Sequence, residues 1–586
     1  MNKPLLLGLC ACLLFAPAVR AIDDYVPGPD SQFHDGVPKG ELLKFTFDHS
    51  KIYPGTTRAY WIYVPAQYRP ETPACLFVGQ DGVGWNAPAV FDNLIARKEM
   101  PITIGVFVQP GNVKASSPDV LQRYNRSVEY DTPSDAYVRF LLEEILPEVA
   151  TKQTSDGRPI RISDRANDRA IGGQSSGAAA AFTAAWNRPD AFSRVFSAIG
   201  TFVPMRGSDV YPVLIRESEP KPLRVFLQDG MNDQNKYDGD WFMANQEMER
   251  SLVFAGYEVN HVWGNGVHSG KHSMAIFPDG MRWLWKGWPQ PVVNSPTGND
   301  YLNALLIPGE GWEVAKDGMT GADGIAANAR GEVFFCDTNG EKTYKIGLDG
   351  VIRPVLTESH HITGHAFGPD GRLYATVGNM PGVVSYGPDG LGPPKVLAQG
   401  FRGNDLVVAH TGNVYVTNPP ARTSVDPSKV WLIRPDGTSQ VVDTGIRFAN
   451  GITLSTDQTQ LYVDDSYSHW VYSFVIQPDG TLADREKFFR LHQPEAADQS
   501  GADGMHSDRD GRLYVTSTMG IQVCDAAGRV HCIIPTPNHH VVSVCLGGAQ
   551  FDTLYAGSGN TLYRRKVRVV GANAWDSPNK PPPPPG

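Results

Sequence analysis

Seven cysteines in 586 residues, none in a C-x-x-C spacing, leave no basis for a metal-cysteine cluster or a dense disulfide framework. Charge is scarce as well: 19% of residues are charged, and 62 acidic against 52 basic side chains give a formal net charge of −10. There is no basic stripe, and a net negative chain gains nothing from a nucleic-acid or anionic-lipid surface, so neither partner is expected. What the chain has in quantity is glycine (60) and proline (46) around a 41% hydrophobic content, the composition of a globular, turn-rich protein. Its length exceeds what one hydrophobic core organises and predicts about two to four domains.

The opening "MNKPLLLGLCACLLFAPAVRA" has one lysine, an apolar run and a small-residue cleavage pattern at Val19-Arg20-Ala21, which reads as an export signal over 1–21. A periplasmic or secreted location is therefore expected, with no membrane attachment after cleavage. Removal of this leader takes Cys10 and Cys12 with it. Of the remaining five cysteines, Cys524 and Cys532 flank "DAAGRVH", where one bridge and two buried thiols are both open.

Two patterns follow one another along the rest of the chain. Over 22–290, short apolar runs ("ACLFVG", "ITIGVFV", "RAIGG", "VFSAIG", "LRVFLQ") alternate with helical stretches ("DAYVRFLLEEILPEVA", "GAAAAFTAAW"), the signature of a mainly parallel α/β sheet. A Pro/Gly/Asn-rich linker occupies 291–310. Over 311–572 the helical pattern vanishes and "GEVFFCD", "GRLYATV", "GNVYVTN", "TQLYVDD", "GRLYVTS" and "DTLYAGS" recur. Their anchors Val333, Leu373, Val414, Leu461, Leu513 and Leu554 are spaced by 40, 41, 47, 52 and 41 residues, which predicts a six-bladed β-propeller. The Pro-rich tail 573–586 has no core of its own.

The first domain carries Gly173-Gln174-Ser175-Ser176-Gly177 between a strand and a helix. A serine hydroxyl attacks an ester only when a base takes its proton and a sharp turn lifts it clear of the sheet, and a G-x-S-x-G elbow provides that turn. Ser175 is the expected nucleophile, and the Ser176 N–H an oxyanion donor. The second donor is expected from the loop after an early strand, at the backbone N–H of Gln80 or Asp81. In this fold an acid and then a histidine follow the serine. "DGMNDQN" offers Asp229 and Asp233, of which Asp233 is preferred because it lies further out in the loop. "VHSGKH" offers His268, with His272 and His261 as competitors. Asp233 would orient the ring, and His268 would serve as general base and then acid.

The stretches "FVGQDGVGW", "FDNLI", "NRSVEYD", "RFLLEEILPEV", "IGGQSSGAAAAFTAAWNRPDAF" and "LQDGMND" resemble the esterase family that contains enterochelin esterases and feruloyl or acetylxylan esterases, over roughly residues 40 to 290. The resemblance implies an α/β-hydrolase and serine ester hydrolysis. Some enterochelin esterases are thought to work without a firm acid, which bears on Asp233. The resemblance also implies that Arg126 and Glu129 of "NRSVEY" line the substrate site or else pair with each other.

In the propeller, counting back ten residues from each anchor gives Asp323, Thr363, Asn404, Gly451, Asp503 and Val544, with Asn450 replacing Gly451 after a one-residue shift. Asp323, Asn404, Asn450 and Asp503 thus begin four of six inner strands at one depth, and converging oxygens suit a hard divalent cation such as Ca²⁺. Asp-Gly and Asn-Gly are also common turn dipeptides, which accounts for one or two of the four. His365, His506 and His540 lie near the inner strands. "FRGNDLVV", "FANGITLSTDQTQLYVDDS" and "GADGMHSDRDGRLYVTS" resemble the gluconolactonase family that includes regucalcin and the senescence marker protein, over roughly residues 310 to 565. That resemblance implies a metal-dependent lactonase in which Asn404, Asn450 and Asp503 are ligands, Asp503 activates water and Arg402 contacts substrate. The family usually has Glu where this chain has the shorter Asp323.

The expectation is therefore an exported two-domain hydrolase. A serine esterase for feruloyl or acetyl esters of plant polysaccharides, needing no cofactor, is joined to a lactonase-like propeller holding a divalent cation. The alternatives are a siderophore esterase acting on a cyclic trilactone, and an esterase whose propeller only binds or scaffolds.

Overall fold

The structure, a computed structural model, describes residues 23–378 and 382–584. The export-signal reading falls on residues 1–21, outside the described residues. Among the described residues no helix is long and apolar enough to cross a membrane.

The first domain is an α/β-hydrolase. Its sheet runs through β1 (Glu41–Phe47), β2 (Thr56–Val64), β3 (Cys75–Gln80), β4 (Thr103–Val108), β5 (Arg169–Gln174), β6 (Arg194–Ala198), β7 (Arg224–Gly230) and β8 (Glu258–Gly264). Their order across the sheet is β1-β2-β4-β3-β5-β6-β7-β8. From β4 to β8 every neighbour pair is parallel, and β2 pairs antiparallel with both β4 and β1. The central strands β3, β4, β6 and β7 are buried along their whole length, as parallel strands covered on both faces must be. Helices covering the faces include α1 (Ala87–Ala96), α2 (Ser176–Asn187), α3 (Trp241–Phe254) and α4 (Gly270–Trp285), together with the helical run 136–150. The loops at the carboxyl ends of β5, β6, β7 and β8 lie side by side in such a sheet, which is why residues far apart in sequence meet there.

The second domain has six four-stranded antiparallel sheets. Every anchor of the sequence repeat lies in the second strand of its blade and is buried. The ring is closed by Glu313–Lys316, which precedes the first blade and pairs with Thr561–Lys566 as the outer strand of the last. The segment expected to be a plain linker contains a helix, Asp300–Leu305, whose Leu302 and Leu305 enter a cluster with Ile521, Leu546 and Val567. The coreless tail also docks: Trp575 packs against the cluster holding Phe334 and Phe367, and Ala572–Trp575 line the channel.

The domains are fixed to one another along the fifth and sixth blades. Ile533 is buried in the same cluster as Leu214 and Leu252 of the hydrolase. The Glu219 N–H donates to Ile533 O at 3.1 Å, and Arg565 donates twice to the Glu219 carboxylate, at 2.8 and 3.0 Å. The five described cysteines are buried free thiols. Strand register sets Cys532 opposite Val523 and Cys524 opposite Val530, so Cys524 and Cys532 are not bridged.

Candidate functional sites

The elbow places Ser175 between β5 and α2 with φ 56° and ψ −127°, backbone that costs energy for a non-glycine residue. Both flanking glycines are sterically required. A Cβ on Gly173 would collide with the Gly177 carbonyl, and one on Gly177 would lie 2.9 Å from Gln80 Cβ and Asp81 Oδ2. The end of β3 can therefore press against the start of α2. Ser176 heads that helix, where a backbone N–H has no acceptor within the helix.

His268, in the loop between β8 and α4, sets Nε2 2.9 Å from Ser175 Oγ and Nδ1 2.6 Å from Asp233 Oδ1. Of the alternatives left open by the sequence, the geometry joins Asp233 and His268 to Ser175. Asp229 stands behind Asp233: it is fully buried, accepts from the Gly230 N–H at 2.6 Å and from Asn245 Nδ2 at 2.8 Å, and does not touch the imidazole. Burial first, and then the neighbouring Asp233 carboxylate, push the Asp229 carboxyl well above the usual range. Protonated, it is the donor that Asp233 Oδ2, otherwise without a partner, requires. His272 is buried, hydrogen-bonded to Gln228 and stacked on Tyr25, while His261 stacks on Trp263, so neither faces the serine.

The remaining esterase candidates divide. Arg126 grips the Asp81 carboxylate with two hydrogen bonds, 2.7 and 2.9 Å, and reaches Gln174 O at 3.4 Å, which sets it at the elbow's rim. The Asp81 N–H faces the Tyr130 hydroxyl at 3.4 Å, and the Gln80 side chain accepts from the Tyr137 hydroxyl at 3.1 Å. Glu129 as a substrate contact is corrected, as is the suggested pair with Arg126. Its side chain is fully buried in an ion pair with Arg58, 2.6 Å, and also accepts from the Gly111 N–H. Two neighbours of Ser175 that the sequence reading omitted are Thr201, 3.2 Å away through its hydroxyl, and Trp241, whose indole donates to that hydroxyl.

The propeller channel is a cavity lined by Asp323, Asn404, Asp405 and Asp503, with Thr363 and Ser543, and with His365 and His506 deeper. Among the described residues no lysine or arginine lines it. Burial raises the carboxyls of Asp323, Asp405 and Asp503 and pushes both imidazoles down to about 4. Asn450 donates to Ser466 Oγ at 3.0 Å, and its buried Oδ1 is without a partner. Arg402 is exposed on the loop ahead of Asn404 and does not line the cavity. The sequence reading omitted Asp405, which lines the cavity, and Asp464, which is buried where the Asp503 and Asp405 charges act on it. The repeat register could have revealed Asp464, because the positions three residues after the anchors read Cys336, Thr376, Thr417, Asp464, Thr516 and Gly557, a single charge among six.

Among the described residues no three His, Cys, Asp or Glu side chains come close enough together to hold a metal by themselves. A hard cation is compatible with this channel through a mixed set of carboxylate and amide oxygens. The gathered buried carboxyls and the unpartnered Asn450 Oδ1 are the features a cation would satisfy.

Ser175, His268 and Asp233 thus meet at the strand ends of an α/β-hydrolase fold that is joined to a six-bladed propeller. Residues 53–289 match the family model described as "Putative esterase", and residues 392–560 match the SMP-30/Gluconolactonase/LRE-like region. The chain thus carries an esterase-family domain and a gluconolactonase-like propeller.

It is 27% identical over 230 residues to a gluconolactonase of Zymomonas mobilis, covering 36% of this chain and 64% of that protein's length. Among solved structures it resembles a gluconolactonase from Xanthomonas campestris (25% identity, 46% of this chain and 93% of that chain, TM-score 0.41). It also resembles the enterobactin esterase of Shigella flexneri (21% identity, 43% and 61%, TM-score 0.33).

Proposed function

We propose that this chain is an exported hydrolase with two ester-cleaving sites. Ser175 attacks the acyl carbon while His268 takes its proton and Asp233 holds the ring and its charge. His268 then returns that proton to the leaving alcohol, and water repeats the sequence to free the acid. The developing oxyanion is met by the Ser176 N–H, with the second donor at the end of β3. Feruloyl or acetyl esters of sugars are the proposed substrates. The observation that carries this reading is the continuous contact Ser175–His268–Asp233. Covalent labelling of Ser175 by a fluorophosphonate, lost in Ser175→Ala together with p-nitrophenyl acetate and methyl ferulate hydrolysis, tests it.

For the propeller the proposed activity is opening of a sugar lactone. Asp323, Asn404, Asn450 and Asp503 would hold a divalent cation, Ca²⁺ in the first instance, which when bound polarises the lactone carbonyl. Asp503, buried near the channel's other acidic groups, is the proposed base toward water. The acidic lining and the family match over 392–560 support this reading.

A further inference from the structure

Beyond the end of β6 the chain folds back over the elbow. The Thr201 N–H donates to the Ser175 carbonyl at 3.2 Å, and the Thr201 hydroxyl lies 3.2 Å from Ser175 Oγ. The Trp241 indole N–H points at the same hydroxyl, 3.1 Å away. An indole nitrogen can only donate, so Thr201 Oγ1 accepts there and its own proton is free to point elsewhere. Ser175 must give its proton to His268 Nε2 for the attack to begin. The one arrangement that satisfies all three contacts has the Thr201 O–H donating to a lone pair of Ser175 Oγ.

We propose that Thr201 is a further catalytic residue, donating a hydrogen bond to the nucleophilic oxygen, and that Trp241 is the positioning residue that fixes the direction of the Thr201 hydroxyl. The proposal rests on Ser175 being the nucleophile. As His268 takes the Ser175 proton and the bond from Oγ to the acyl carbon forms, negative charge develops at Oγ, and the Thr201 hydroxyl stabilises it while keeping its own proton. In the acyl-enzyme Oγ is an ester oxygen and a weaker acceptor. During deacylation, when the bond from Oγ to carbon breaks and His268 returns a proton to Oγ, the same donor faces the departing oxygen. Trp241 is suited to its part: it is 2% exposed, its backbone N–H donates to Gln234 O beside Asp233, and its ring stands edge-on to His268 with centroids 6.0 Å apart. One buried side chain therefore aligns the hydroxyl and stands against the His268 ring.

The test compares Thr201→Val, which keeps the shape and removes the hydroxyl, with Thr201→Ser, which keeps the hydroxyl, and with Trp241→Phe. The readouts are the fluorophosphonate labelling rate at Ser175 and the kcat and KM for p-nitrophenyl acetate, in the full chain. Thr201→Val should slow labelling and lower kcat about tenfold to a hundredfold with KM within about twofold, and Thr201→Ser should recover most of the rate. Trp241→Phe should lower kcat less, with little further loss when added to Thr201→Val. Labelling of Thr201→Val at the wild-type rate, or a Thr201→Ser variant as slow as Thr201→Val, overturns the assignment. A wild-type chain that takes no label at Ser175 overturns the esterase reading on which it depends.

Discussion

Asp229 lies against Asp233 with its carboxyl fully buried, and the far oxygen of Asp233 has no other donor. Two carboxylates so placed cannot both be ionised, and burial, with Asp233 beside it, holds Asp229 in its protonated form. Asp229→Asn keeps a donor and should retain activity within about threefold, whereas Asp229→Ala should lose about tenfold in kcat. The pH dependence has a definite sign. A carboxyl whose folded pKa is raised contributes stability that is fully present below the ordinary carboxylate range near 4 and lost as pH rises through the folded value. The unfolding free energy of Asp229→Asn relative to wild type should therefore climb between pH 5 and pH 8, by up to about 1.4 kcal/mol per pH unit, and its Tm should rise with it. Parallel melting curves over that range check it.

Glu129 is expected to matter for folding and not for substrate. Removing it leaves the Arg58 guanidinium buried without its partner, so Glu129→Ala should cost about 3–5 kcal/mol in urea unfolding. Rate per fluorophosphonate-titrated site should stay within about twofold. A raised KM with unchanged stability would return Glu129 to the substrate site.

The propeller should bind a divalent cation. Ca²⁺ titrated into the metal-stripped full chain should raise its melting temperature, by the equivalent of about 2.7 kcal/mol at a hundredfold excess over Kd. Asp503→Asn should abolish that shift while leaving labelling of Ser175 intact.

The interface should be felt by both domains. Arg565 is almost wholly buried, and Glu219→Ala removes its carboxylate partner from the hydrolase side while its bond to the Glu310 carbonyl stays. A loss of about 2 kcal/mol in calorimetric unfolding is expected, with both sites still active.

Both folds were legible because each has a period: alternating strands and helices for the hydrolase, a repeat near 40 residues for the propeller. Ser175 was legible because the elbow is local in sequence. Thr201 and Trp241 were not, because only the parallel order of β5, β6 and β7 brings the loop after β6 and the start of α3 to the serine. Glu129 misled because a helix of five residues, Arg126–Tyr130, turns Arg126 towards the elbow and Glu129 into the core.

Two independent sites on one chain are tested most directly by a crossed substrate panel on Ser175→Ala and Asp503→Ala, with p-nitrophenyl acetate, methyl ferulate and a sugar lactone. The expected result is reciprocal: Ser175→Ala loses at least about a thousandfold in ester hydrolysis and still opens the lactone, and Asp503→Ala does the reverse. Ester hydrolysis that survives Ser175→Ala, or lactone opening that survives Asp503→Ala, contradicts it.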